Sequence, residues 1–165
     1  IAPSQLAISD RNALIGELEA ALYAGKIAAY AQGFAVMEQA SVEFGWKLPM
    51  PVIAKIWRAG CIIRSQFLDR IAEAFAATSG KGNLLLAPDF VAMMKESHGA
   101  LRHVVAAAAR AGSPVPALSS ALAYFDSYRQ ARGTANIIQG QRDFFGAHGF
   151  ERIGEDGAHH GPWNG

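Results

Sequence analysis

A chain of 165 residues has enough sequence for one domain with a substantial core and too little for two comfortable ones. It is 51% hydrophobic and 18% charged, with alanine-rich runs such as 105-VAAAARAG-112 and few β-branched clusters, which favours a compact helical protein over a sheet protein or a disordered chain. A formal net charge of +1 without a basic stripe argues against a dedicated nucleic-acid surface.

After an apolar lead-in over residues 1 to 8, Ser9 or Asp10 can cap a first helix with Glu17 and Glu19 in its opening turns. Apolar residues at Leu14, Leu18, Leu22, Tyr23, Ile27, Tyr30, Phe34, Met37 and Phe44 follow steps of three and four. Ala24, Ala28, Ala31 and Ala35 make a second, small face that lets another backbone approach. Gly45 is placed for a left-handed stop, and Pro49 and Pro51 confirm the break. A short helix is predicted over Val52 to Trp57, and residues 61 to 80 form the next after a bend at Gly60. Leu84 to Leu86 anchor the following loop. Pro88 and Asp89 open a helix through Phe90, Met93, Met94, Leu101, Val104, Val105 and Ala108 to Gly112.

A helix from about Ala117 to Arg132 buries Leu118, Leu122, Phe125 and Tyr128 and carries Arg129 and Arg132 near its C-terminus, where cations suit the dipole. The last helix spans roughly Ala135 to Phe145 and leads into an extended glycine-rich tail, 149–165, with little reason to fold by itself. No persistent strand alternation is evident. The fold class that follows is all-α, an irregular multi-helix bundle.

The single cysteine, Cys61, makes no internal disulfide, no Cys or His spacing suggests structural zinc, and a reducing cytoplasm is the simplest setting. No apolar run is long enough to span a bilayer. The chain starts at Ile1 without an initiator methionine, which is compatible with a fragment of a longer protein.

Few residues carry chemistry. Arg142 offers a planar fork of donors suited to phosphate or carboxylate, and His148 can donate to the same ligand from another direction; the plainer reading is a surface arginine and a capping histidine. Arg58 and Arg64 sit in an apolar context where structural ion pairs are the simpler role, and Trp57 is most simply core. Lys26 could be a buried base but has no acid at helical spacing. Cys61 beside Ile62 and Ile63 suits an inert buried thiol, and His98 and His103 suit solvated or capping positions. His148, His159 and His160 invite a metal reading, which the adjacent histidines and the glycine-rich tail disfavour. There is no GxGxxG element and no complete acid and base pair, so the chain taken alone is not a whole enzyme.

The runs 22-LYAGKIAAYAQGF-34, 57-WRAGCIIRSQFL-68, 83-NLLL-86, 121-ALAYFDSYR-129 and 136-NIIQGQRDFFGAH-148 closely resemble, in order and spacing, the C-terminal helical domain of the decarboxylating 6-phosphogluconate dehydrogenase family, from about Leu18 onward. The resemblance implies oxidation of 6-phospho-D-gluconate with NADP and decarboxylation to D-ribulose 5-phosphate in the pentose phosphate pathway. It implies a Rossmann domain upstream that holds most of the NADP, and a homodimer in which each tail reaches into the partner subunit. Residues 1–165 would then be the helical dimerisation and substrate-binding domain. Arg142 and His148 fall on the family motif that binds substrate across the subunit boundary, the arginine at the phosphate. The family's catalytic lysine, glutamate and asparagine lie in an earlier helix that is missing here. Lys26 occupies the corresponding place in a duplicated copy without the expected asparagine and glutamate, so it is assigned no catalytic role.

Two departures stand out: Gly133 and Thr134 replace an expected leucine and proline before the last helix, and the tail matches the family ending only through His160 and Trp163. The alternative is a stand-alone helical dimerisation or binding module without catalysis. A different hydroxyacid dehydrogenase is disfavoured by the RDFFGAH string.

Overall fold

The computed structural model describes residues 10–60, 65, 67–78 and 82–163. Among the described residues six helices follow one another: α1 (Arg11–Glu43), α2 (Met50–Gly60), α3 (Phe67–Ala77), α4 (Pro88–Ala111), α5 (Pro116–Tyr128) and α6 (Ala135–Gly146), with a 3-10 turn at Leu84–Leu86 and two short strands, β1 (Phe150–Arg152) and β2 (Glu155–His159). The chain divides into two compact units, residues 1–125 and 126–165. The helical bundle expected from the sequence is the observed class.

In the first unit α1 packs against α4, α2 against α3, and the Leu84–Leu86 turn touches α1, α3 and α4. Asp10 caps α1, its carboxylate accepting from Asn12 N–H at 2.9 Å and Ala13 N–H at 3.1 Å, which satisfies donors that a helix start leaves open. Gly45, at φ 67, lies just beyond the helix end. The face that α1 buries is mainly the small one. Ala21, Ala24, Ala28 and Ala31 are inaccessible together with Ile27 and Phe34, whereas Leu18, Leu22 and Phe44 of the large apolar stripe are exposed. Small side chains there let α1 lie against α4, and at Gly25 even a Cβ is too much, since it would lie 2.8 Å from Leu118 Cδ2.

Aromatic rings fill the core that remains. Phe34 meets Trp57 at 5.3 Å and Phe75 at 5.0 Å between centroids, and Phe67 meets Phe90 edge-on at 5.4 Å. α2 is longer than expected, running from Met50 to Gly60. Of the predicted 61–80 helix, residues 61–64, with Cys61 and Arg64, lie outside the described residues, Ser65 is not helical, and α3 runs from Phe67 to Ala77. Ser65 sets that start, since its Oγ accepts from Phe67 N–H at 3.3 Å and its carbonyl from Leu68 N–H at 3.1 Å.

α4 follows the expectation from Pro88 to a left-handed Gly112 at φ 66. Leu84 and Leu85 anchor the loop as predicted, but Leu86 is exposed. α5 stops at Tyr128, four residues early, and Tyr128 is not buried. The sequence 129-RQARG-133 offers no apolar side chain larger than Ala131, so packing gives little reason for the helix to continue.

The tail departs most from expectation, because residues 150–159 form an antiparallel hairpin. Phe150 pairs with His159, Glu151 with Ala158 and Arg152 with Glu155. The strand irregularity between Glu151 and Arg152 accommodates the extra residues of β2, where Gly157 adopts φ 97. Among the described residues no helix is long and apolar enough to cross a membrane.

Candidate ligand site at the end of helix α6

In the second unit α6 buries a single side chain, and that side chain is charged. Asp143 is only 2% exposed. Its Oδ1 accepts from Gly149 N–H at 2.9 Å and faces His160 Nδ1 at 2.6 Å; its Oδ2 accepts from Gly161 N–H at 2.8 Å and the Trp163 indole N–H at 2.6 Å. Gly149 immediately precedes β1 and His160 immediately follows β2. One carboxylate therefore ties both ends of the hairpin to the helix. A two-stranded hairpin is marginal in water by itself, and this clamp supplies what its short ladder lacks. Burial pushes the Asp143 pKa upward, the largest single influence. The hydrogen bonds from Gly161, Trp163, His160 and Gly149 together outweigh it and hold the carboxyl well below the usual carboxylate range.

Glycines make the geometry feasible. A Cβ on Gly146 would fall 2.7 Å from the His148 ring, so only glycine lets that ring fold back over the helix end; a Cβ on Gly161 would overlap the Trp163 indole. Ala147 turns the chain at φ 49 and donates its N–H to the Asp143 carbonyl at 2.9 Å. His148 then stands edge-on to Phe145, with centroids 6.4 Å apart.

His148 lines a cleft of about 760 Å³ whose walls include Arg132, Asn136, Gln139, Arg152 and Trp163. Two guanidinium groups, an imidazole and two carboxamides suit an anionic, hydroxyl-rich ligand, although Arg152 already faces Glu155 at 3.3 Å. Arg142 is exposed on the neighbouring face of α6, does not line this cleft, and is held by no hydrogen bond or ion pair from the described residues. With Ile138 and Phe145 it makes a stripe at helical spacing, all three exposed. Thr134 begins α6 without a side-chain cap, consistent with the loosened start that Gly133 and Thr134 suggest.

The remaining candidates have structural partners. Lys26 Nζ donates to Ser65 Oγ at 2.8 Å and sits 5.4 Å above the Phe67 ring. Arg58 pairs with Asp69 at 2.7 Å, the structural role expected of it, and Trp57 packs on the core. His103 is exposed beside Glu17 at 3.5 Å, whereas His98 is half-buried, with its ring on Phe125 at 5.6 Å and its Nδ1 closed to solvent. Among the described residues no three His, Cys, Asp or Glu side chains gather to hold a metal, and His160 is engaged with Asp143. Asp143 is the residue that the sequence reading missed. Its signal was a lone acid in an aromatic run, six residues before a glycine and followed by a tail rich in donors.

Comparison with known proteins places these features. The chain is 49% identical over 161 residues to "6-phosphogluconate dehydrogenase, decarboxylating" of Klebsiella pneumoniae, covering 98% of this chain and 34% of that protein. It is 48% identical over 156 residues to "6-phosphogluconate dehydrogenase, decarboxylating 1" of Spinacia oleracea, covering 94% and 32%. The solved structure of Plasmodium falciparum 6-phosphogluconate dehydrogenase, described in apo form and in complex with its cofactor NADP+ and its substrate 6-phosphogluconate, superposes with a TM-score of 0.88 at 39% identity, over 95% of this chain and 34% of that one. The chain thus spans about a third of the length of these relatives. The family described as 6-phosphogluconate dehydrogenase, C-terminal domain, matches residues 2–163, and the chain belongs to that family.

Proposed function

We propose that this chain is the C-terminal helical part of a decarboxylating 6-phosphogluconate dehydrogenase, a cytoplasmic enzyme of the pentose phosphate pathway. The whole protein converts 6-phospho-D-gluconate to D-ribulose 5-phosphate and reduces NADP, which is held mainly by a dinucleotide-binding domain outside this chain. Residues 1–165 form the dimerisation and substrate-binding domain, and the tail, 149–165, exchanges into the partner subunit. The names of the relatives support the reaction, and the absence of a GxGxxG element from this chain agrees with a cofactor bound elsewhere.

The observation that carries the site assignment is the state of Arg142. Its five donors are exposed and uncommitted among the described residues, on a helix whose Ile137, Ile138, Phe144 and Phe145 are exposed as well. A helix face of that kind suits burial against another surface, and a guanidinium at its edge is then a donor fork for a ligand on that surface. Arg142 takes the substrate phosphate bidentately and His148 adds a second donor. Holding the phosphate fixes the far end of the sugar acid, so binding energy remote from the reacting carbon positions that carbon for oxidation.

Arg142→Ala in the full-length enzyme tests this. The expected result is a KM for 6-phosphogluconate raised by about a hundredfold, the scale of a lost charge-assisted bidentate contact, with the KM for NADP nearly unchanged. An unchanged substrate KM would remove Arg142 from the site, and a wild-type full-length protein that folds but lacks the activity would favour a binding module.

A further inference from the structure

We propose that Asp143 is a positioning residue for His148, acting as a clamp that fixes the histidine from both sides; this rests on the reading of His148 as a substrate-binding side chain. The residue before His148 is held by the Asp143 main chain, through Ala147 N–H to its carbonyl at 2.9 Å. The residue after it is held by the Asp143 side chain, through Gly149 N–H to Oδ1 at 2.9 Å. His148 is thus suspended between two hydrogen bonds to a single residue one turn upstream. Gly146 leaves its ring room over the helix end, and the ring direction follows from the two anchored neighbours.

The other donors make this clamp dependent on the chain beyond the hairpin. His160 shares Oδ1 with Gly149, while Gly161 and Trp163 occupy Oδ2. Removing His160 leaves Oδ1 bonded to Gly149 alone, while Gly161 and Trp163 still hold Oδ2, so the clamp is loosened on the side that anchors Gly149. Neither Asp143 nor His160 lines the cleft that contains His148, so any effect they have on a ligand there is transmitted through position and not through contact. An asparagine at 143 retains one acceptor oxygen and turns an NH2 group toward backbone or indole N–H donors, which breaks one side of the clamp without changing the side-chain volume.

The test is a double-variant cycle in the full-length enzyme, with His148→Ala, Asp143→Asn and the pair combined, reading kcat and the KM values for 6-phosphogluconate and NADP. Asp143→Asn is expected to raise the sugar-phosphate KM about tenfold, within the hundredfold that a misplacement of about 1 Å can cost, with the NADP KM unchanged. In the His148→Ala background it is expected to add nothing, since the group being positioned is gone. If Asp143→Asn folds poorly, His160→Ala replaces it: an exposed ring is removed, and a rise of roughly threefold, again absent without His148, is expected. Effects that multiply in the combined variant overturn the clamp while leaving His148 as a substrate ligand. A KM indifferent to His148→Ala overturns the substrate reading itself, and the clamp's role with it.

Discussion

In residues 1–125, Phe34, Phe67, Phe75 and Phe90 are buried within ring-to-ring distance of aromatic neighbours, and the buried positions of α1 and α3 are apolar or glycine; in residues 126–165, the one buried side chain of α6 is a carboxylate, while Ile137, Phe144 and Phe145 face solvent. The first unit is held by area removed from water, a force without direction. The second is held by four hydrogen bonds to one residue, each demanding a defined distance. The difference suits different work: an apolar core gives a stiff scaffold, and a polar clamp fixes the orientation of a few side chains while leaving the apolar surface of α6 available for burial elsewhere.

The largest effect that would test this contrast comes from the scaffold. Phe34 is 1% exposed and touches both Trp57 and Phe75, so Phe34→Ala removes its buried area and leaves a cavity, at a cost of about 3–5 kcal/mol. Hydrogen exchange followed by mass spectrometry should show α1, α2 and α3 losing protection together while amides of residues 150–159 change little. Equal loss in the hairpin would mean that the two units do not have separate sources of order.

A second effect, confined to the clamp, depends on pH. The Asp143 pKa is depressed from the ordinary 3.8, so the folded carboxyl binds protons less readily than the unfolded one. Its contribution is therefore fully present above the unfolded value and is lost only as the pH falls below 3.8 through the lower folded value. With 5-fluorotryptophan incorporated, the Trp163 fluorine resonance should keep its native position at pH 4 and move only under more acid conditions. The same resonance in Asp143→Asn should be displaced at neutral pH. A Trp163 signal that moves to its unfolded position above pH 4 would show that the clamp is not what holds the tail.

The contrast also explains what the sequence made legible. α4 could be placed almost to the residue because Pro88 and Gly112 punctuate it and its apolar spacing is regular. The buried face of α1 was harder to choose, since both a leucine stripe and an alanine stripe have helical spacing and only the packing against α4 decides between them. The hairpin left no periodic signal: Phe150 and His159 pair across a turn with charged and glycine residues between them, and what stabilises them lies outside the strands, at Asp143. Arg142 and His148 stood out through the motif they belong to. Asp143 did not, because a hydrogen-bonding hub is defined by what converges on it in space, and its donors lie 6, 17, 18 and 20 residues away.

The smallest effect concerns a polar contact that resembles the clamp in chemistry and differs from it in burial. Arg58 Nε lies 2.7 Å from Asp69 Oδ2, linking α2 to α3, but the two side chains are 50% and 40% exposed. Water and salt compete for both charges, and two long side chains lose freedom in holding one geometry. Arg58→Ala should therefore cost about 0.5 kcal/mol in urea unfolding, with most of that difference gone at 1 M salt, where screening acts over about 3 Å. The Asp143 carboxylate, itself closed to solvent, should respond to added salt far less. A cost at Arg58 that is large and indifferent to salt would mean that the pair is shielded as the clamp is, and the division between a scaffold held by apolar burial and a tail held by polar bonds would need a second polar anchor in the scaffold.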